Sequence, residues 1–161
     1  MIKTVIGIDP GKNIGVARLD AENQKLVYSH KSIVNWDGFC LFLSSMEAYA
    51  AQPNTEPIVF AIELFRLFKH KAANQIGSEM DTSQVIGAVR YAAYRSDGKI
   101  QFVKQEPSTL TTAAKWSGVG EKYTGPNSPH MPDDLSAYNH AFFYMMNNGF
   151  LRNRVLDAMD G

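Results

Sequence analysis

Acidic side chains end two apolar, β-rich segments of the 161-residue chain. Asp9 closes the first segment, immediately before Pro10 and Gly11, and Glu63 follows the continuous apolar run 58–62. Either acid alone also suits a turn or a strand end. Open α/β sheets usually bind ligands at the carboxyl ends of their strands, so two acids on adjacent strands would be close enough to share a divalent ion. Their hard oxygen atoms are the ligands that Mg²⁺ or Mn²⁺ requires.

A third group of candidate ligands lies at the start of the last predicted helix, where His130 precedes the neighbouring acids Asp133 and Asp134. One acid here would cap the helix and complement its dipole. A second acid and a histidine exceed what capping needs, and the sequence leaves open which acid is the metal ligand. With Asp9 and Glu63, the group predicts a centre for phosphodiester hydrolysis, in which two cations about 3.5–4 Å apart activate water and stabilise the leaving oxygen. His130 would bind metal or move a proton.

Two segments combine basic and aromatic side chains, as suits phosphate contact and base stacking. The first, after Glu63, contains Phe65, Arg66, Phe68, Lys69 and Lys71. The second surrounds the Gly118 and Gly120 turn and contains Lys104, Lys115, Trp116 and Lys122. Stretches of both kinds also occur as ordinary solvated loops. The formal net charge is +0, so a basic surface would have to be local.

Periodicity predicts the elements that position these residues. Turn residues separate three β-rich segments and predict an antiparallel meander, and apolar spacings of three and four predict helices. The predicted strands are 3–9, 14–20, 25–31, 58–62 and 100–103. The predicted helices are 36–51, one from Thr82 or Ser83 to Asp97, a short one from 107–109 to about 117, and 133–148 ending at Gly149. The pattern is mixed α/β. We expect His30, at a strand end, and His140, inside the last helix, to be structural.

Length and composition predict one domain spanning residues 1–161. The single cysteine, Cys40, excludes a disulfide framework. No run approaches the roughly 18 apolar residues of a membrane helix, and no basic region followed by a long apolar stretch opens the chain. We therefore expect a cytoplasmic protein without a membrane partner.

Three motifs of the chain resemble those of the RuvC-type Holliday junction resolvases in order and spacing. The first is the run from Ile6 through Asp9 to Gly11, followed by 14–17. The second is Ala61-Ile62-Glu63, and the third is His130-x-x-Asp133 at the opening of a helix. Weaker similarities at 83–88 and 107–122 extend the resemblance over most of the chain.

The resemblance implies a ribonuclease H-like α/β fold, with a mixed five-stranded sheet of three antiparallel and two parallel strands flanked by helices. It also implies a homodimeric crossover junction endodeoxyribonuclease that places two active sites on a four-way DNA junction. The expected cofactor is Mg²⁺, with Mn²⁺ as a substitute. The metal ligands that it implies are Asp9, Glu63, His130 and Asp133, or Asp134 after a shift of one residue. Lys122 would contact DNA, and Phe65 or Phe68 would insert at the junction.

Some features depart from the resolvase pattern. Many resolvases have aspartate where His130 stands, although a histidine variant occurs, and the neutral charge and the segment after Glu63 are unusual. They favour a compact phage-type enzyme in a bacterial or phage-infected cell, acting on branched DNA more broadly. Alternatives are a nuclease resembling the YqgF type that acts on structured RNA, and a noncatalytic nucleic-acid-binding module. An actin-like nucleotide-binding fragment would need further glycine-rich loops and a second domain, which the sequence lacks.

Overall fold

The computed structural model describes residues 2–11, 13–33, 35–64 and 81–150 of the chain. Five strands and four α-helices lie within these ranges, with a short 3₁₀ helix before the last α-helix. The strands are β1 (Thr4–Asp9), β2 (Ile14–Asp20), β3 (Lys25–Ile33), β4 (Ile58–Glu63) and β5 (Ile100–Gln105). The helices are α1 (Trp36–Ala50), α2 (Asp81–Arg95), α3 (Thr109–Ser117), the 3₁₀ helix Glu121–Tyr123 and α4 (Asp133–Asn147).

The strands form one sheet in the order β3-β2-β1-β4-β5. β1, β2 and β3 pair antiparallel, whereas β4 runs parallel to β1 and β5 parallel to β4. The predicted mixed five-stranded α/β sheet is therefore confirmed. Because Ile8 of β1 pairs with Ile62 of β4, the residues that end these two strands, Asp9 and Glu63, lie side by side where both strands have their carboxyl ends.

Alternation along the strands divides the core into two layers, since successive side chains of a strand point to opposite faces. Ile6 and Phe60 belong to a layer with α1 and α2. Val5 and Ala61 belong to a layer with α3 and α4. Asp9 is an even number of residues from Val5, and Glu63 from Ala61, so both acids are on the same face of the sheet as Val5 and Ala61, which is the face covered by α4.

Two glycines let α4 lie directly on the sheet. A Cβ atom at Gly7 of β1 would collide with the backbone carbonyl of Ala137, and one at Gly15 of β2 would collide with that of Asp133. Gly15 is also the antiparallel partner of Asp9. The first turn of α4 is thereby held against the strand ends that carry the predicted acids.

The predicted end of α4 is confirmed at Gly149, whose φ of 77° is left-handed. The amide of Phe150 donates to the carbonyl of Met145 over 3.1 Å, and that of Gly149 to Met146 over 3.5 Å. These bonds form a Schellman motif, in which glycine accepts the left-handed backbone without strain.

Among the helices of the described residues, none has the length and apolar character needed to cross a bilayer.

Candidate active site

The candidate site begins with the largely buried carboxyl of Asp9, whose pKa is raised from its ordinary 3.8 to about 6. Burial is the largest cause, because removal from water disfavours the charged form. The negative charge of Glu63 is the second cause, and that of Asp133 adds to it, whereas Ser136 and His140 act in the opposite direction. Glu63 of β4 and Asp133 of α4 are therefore both close enough to act on the carboxyl of Asp9 on β1.

The two acids that open α4 have different surroundings. Asp133 is among the charges that act most strongly on Asp9, and its backbone lies against Gly15. Asp134 is not among those charges, and its Oδ1 atom is buried without a hydrogen-bond partner in the described part of the chain. Of the two predicted ligands, Asp133 is thus the one whose charge acts on Asp9.

The predicted ligand His130 has an exposed side chain. Within the described ranges it is not among the groups that shift the pKa of Asp9, and the hydrogen bond to Glu63 comes from His140. In the same ranges, no three histidine, cysteine, aspartate or glutamate side chains are close enough together to hold a metal ion. Asp9, Glu63 and Asp133 are therefore neighbours that do not yet form a metal-binding cluster.

The chemistry of the three carboxylates nonetheless fits a hard divalent cation. Asp9, Glu63 and Asp133 offer only oxygen atoms, the donor type that Mg²⁺ and Mn²⁺ select over nitrogen and sulfur. The hydroxyl of Ser136 is buried beside them and forms no hydrogen bond of standard geometry with the described residues. A cation bound here would neutralise the repulsion that contributes to the raised pKa of Asp9.

His140 also lies at this site, although the sequence predicted only a structural role for it. Its ring is fully buried, with Nε2 3.0 Å from Oε2 of Glu63 and Nδ1 3.0 Å from Oε1 of Gln105. His140 follows Asp133 by seven residues, or two helical turns, which puts both on one face of α4. That spacing was the signal available in the sequence. Gln105 was missed because the predicted fifth strand ended at residue 103, two residues before β5 does.

The residues of the second predicted DNA-contacting segment lie on opposite faces of the sheet. Lys115, Trp116 and Lys122 are exposed, on or just after α3, which packs against α4. Lys104 instead lies over the ring of Phe102, on the face of β5 that packs toward α1 and α2. The first segment, comprising Phe65, Arg66, Phe68, Lys69 and Lys71, lies outside the described residues.

The turn between α3 and the 3₁₀ helix is tied to α4 through Asn139, which is fully buried. Its Nδ2 donates to the carbonyls of Val119 at 3.0 Å and Leu135 at 2.9 Å, and its Oδ1 accepts from the hydroxyl of Ser117 at 3.0 Å. The segment that leads to Lys122 is thereby fixed to the helix that carries Asp133 and His140.

Comparison with solved structures matches the chain to T. thermophilus RuvC in complex with a Holliday junction substrate, with a TM-score of 0.53. The chain has a RuvC-like fold. The match covers 93% of this chain and 95% of that one, at 16% sequence identity. The RuvC-like fold therefore accounts for nearly the whole length of the chain, as the sequence motifs predicted. No protein-family model matches the chain, and no curated protein matches it in sequence.

Proposed function

We propose that this protein is a metal-dependent endonuclease that cuts Holliday junctions and related branched DNA. The observation that carries the proposal is the convergence of Asp9, Glu63 and Asp133 at the carboxyl edge of a RuvC-like sheet. The matched RuvC structure holds a Holliday junction, which makes four-way DNA the first substrate to test. We expect a crossover junction endodeoxyribonuclease activity that leaves 5′-phosphate and 3′-hydroxyl ends.

In this proposal Asp9, Glu63 and Asp133 hold Mg²⁺, with Mn²⁺ as a substitute, and His130 and Asp134 stay as candidate ligands. The cation would supply an activated water molecule and stabilise charge on the phosphate. Asp9 would bind such a cation in its ionised form, because a nearby positive charge favours the charged form of a carboxyl. The burial of Asp9 would strengthen these electrostatic interactions, since a low dielectric screens charge less than water does.

The DNA would be held by exposed cations beside this site. Lys115 and Lys122 are candidates for phosphate contact, and Trp116, which is 51% exposed, offers a face for stacking. Phe65, Arg66, Phe68, Lys69 and Lys71 keep the same proposed role on the basis of sequence alone. A net charge of zero leaves affinity dependent on such local groups.

A homodimer is part of the proposal, because resolving a four-way junction takes two cuts and each chain supplies one candidate site. Tyr91 and Tyr94 of α2 are 61% and 84% exposed, and aromatic residues are enriched in protein interfaces. Light scattering should give the mass of a dimer for the wild-type protein and a lower mass for Tyr91→Ser/Tyr94→Ser. Leu41→Ser, at a residue of α1 that is 72% exposed, is the control that should stay dimeric.

The deciding experiment is a cleavage assay on a four-way DNA junction, a linear duplex of the same sequence and a structured RNA. Cutting of the junction with Mg²⁺ or Mn²⁺, and none with EDTA, is the expected result. Asp9→Asn and Glu63→Gln should abolish cutting while branched DNA is still bound, whereas Asp37→Asn, at an exposed acid of α1, should cut normally. Preferential cutting of the RNA would overturn the proposed substrate, and wild-type turnover by Glu63→Gln would remove Glu63 from the reaction.

A further inference from the structure

The buried imidazole of His140 bridges two side chains of the sheet, Glu63 on β4 and Gln105 on β5. Glu63 and Gln105 are register partners on the parallel strands β4 and β5, and the amide of Leu64 also donates to the carbonyl of Gln105 over 2.6 Å. The ring of His140 reaches both side chains from α4, at 3.0 Å in each case. Three packed elements therefore determine where this imidazole lies.

The chemistry of the two partners fixes the direction of the bond to Glu63. An ionised carboxylate only accepts hydrogen bonds, so the hydrogen shared by Glu63 Oε2 and His140 belongs to Nε2 of the ring. The Gln105 amide can present its oxygen or, after a half-turn, its NH₂ group to Nδ1. Gln105 is thus able to hold the ring in place while Nε2 points at Glu63.

His140 and Gln105 are more deeply buried than the Glu63 carboxylate that they approach. His140 is fully buried and Gln105 is 6% exposed, whereas the Glu63 side chain keeps 26% of its surface open. In the described part of the chain, His140 hydrogen-bonds to that carboxylate through Oε2. The other oxygen of Glu63 is left out of this bond.

We propose that His140, held by Gln105, is a positioning residue that orients the Glu63 carboxylate for cation binding. The inference rests on the proposed function, because Glu63 is taken to be a metal ligand. Groups that hydrogen-bond to a ligating carboxylate usually change metal affinity or activity by about 10- to 100-fold when removed. His140 touches neither the substrate nor the cation in this role and acts only through Glu63.

The test compares His140→Gln, which keeps an N–H donor near the position of Nε2, with His140→Leu, which fills the space without a donor. Calorimetric titration of each protein with Mn²⁺ should give a dissociation constant at least about 10-fold weaker for His140→Leu and close to wild type for His140→Gln. Gln105→Leu should show an intermediate loss, because it frees the ring without removing the donor. Circular dichroism of all three variants checks that each is folded.

A second measurement reads the hydrogen bond in the metal-free wild-type protein, without any variant. A ¹⁵N-labelled imidazole spectrum should show a protonated Nε2 at His140 whose hydrogen exchanges slowly with water. An Nε2 atom without a hydrogen would overturn the proposal, even if His140→Leu does not fold.

The remaining outcomes separate this inference from the proposed function. A folded His140→Leu protein that binds Mn²⁺ and cuts junctions like wild type would overturn the positioning role and leave the nuclease assignment standing. Equal losses in His140→Gln and His140→Leu would also overturn it, because the donor would not matter. A wild-type protein that neither binds Mn²⁺ nor cuts DNA would instead defeat the proposed function.

Discussion

Gly15 of β2 lies directly against the backbone carbonyl of Asp133, the first residue of α4. Gly15 is also the strand partner of Asp9, so one glycine contacts both the strand and the helix that bring acids to the candidate site. The contact involves backbone atoms, which have little freedom to move aside. The separation of Asp9 and Asp133 therefore depends on the absence of a side chain at position 15.

Gly15→Ala tests this dependence. The added methyl group should push the start of α4 off the sheet, destabilise the protein by about 1–3 kcal/mol and reduce junction cutting by a larger factor than it reduces DNA binding. Urea unfolding and single-turnover cleavage measure the two effects.

Gly87→Ala in α2 is the matched control, because nothing lies within 4 Å of a Cβ there. It should instead stabilise the helix by roughly 0.5–1 kcal/mol. Normal activity and stability in Gly15→Ala would contradict the close contact.

The raised pKa of Asp9 predicts a dependence of stability on pH in the metal-free protein. The folded state binds the Asp9 proton up to a pH of about 6, whereas the unfolded chain releases it near 3.8. Stability from this group is therefore fully present below about pH 4 and is lost as pH rises toward 6 and above. Each pKa unit corresponds to about 1.4 kcal/mol, so ionising Asp9 in the folded protein costs roughly 3 kcal/mol at neutral pH.

Asp9→Asn should remove that cost while abolishing the nuclease activity. In EDTA, urea unfolding at pH 7.5 should show the variant to be more stable than wild type by up to roughly 3 kcal/mol, and the difference should vanish near pH 4. Asp37→Asn, at an exposed acid, should differ little from wild type at either pH. A difference between Asp9→Asn and wild type that is the same at both pH values would show that burial of the Asp9 charge is not its cause.

The adjacency of Asp9 and Glu63 could be predicted from the sequence because it depends on local patterns. Each acid ends an apolar run, and neighbouring parallel strands bring such ends together. The orientation of α4 could not be predicted in this way. It depends on close contacts of Gly7 and Gly15 with the helix backbone, which join residues more than 100 positions apart in the chain. His140 and the choice between Asp133 and Asp134 both depend on that orientation, so the sequence left them open or assigned them a structural role.

The hydrogen bonds of Asn139 predict a link between folding and DNA affinity. Asn139→Leu keeps the volume but leaves the carbonyl of Val119 and the hydroxyl of Ser117 without this partner, at a cost of about 1–3 kcal/mol for each group that stays buried. The turn before Lys122 should loosen, so the dissociation constant for junction DNA should rise more than the single-turnover cleavage rate falls.

Asn148→Leu provides the comparison for that prediction. Like Asn139, Asn148 donates from Nδ2 to the carbonyl four residues earlier, here that of Tyr144 over 2.8 Å. Asn148 is exposed, however, and its hydrogen bond joins two residues of the same helix end. Filter binding and thermal melting should show only a small change in this variant. Equal DNA affinity in Asn139→Leu and wild type would mean that the anchored turn does not contribute to DNA binding.

The last prediction separates the two acids at the start of α4. Asp133 acts on the Asp9 carboxyl and Asp134 is not among its main charged neighbours, so Asp133→Asn should weaken Mn²⁺ binding and abolish cutting. Asp134→Asn should retain both properties and lose roughly 0.3–1 kcal/mol of stability, because it removes a negative charge from a helix N-terminus. Calorimetric titration with Mn²⁺ and junction cleavage, run on both variants and on wild type, measure the difference. If Asp134→Asn is the inactive variant and Asp133→Asn still cuts, the ligand is Asp134, and the helix must turn on its axis when the cation binds.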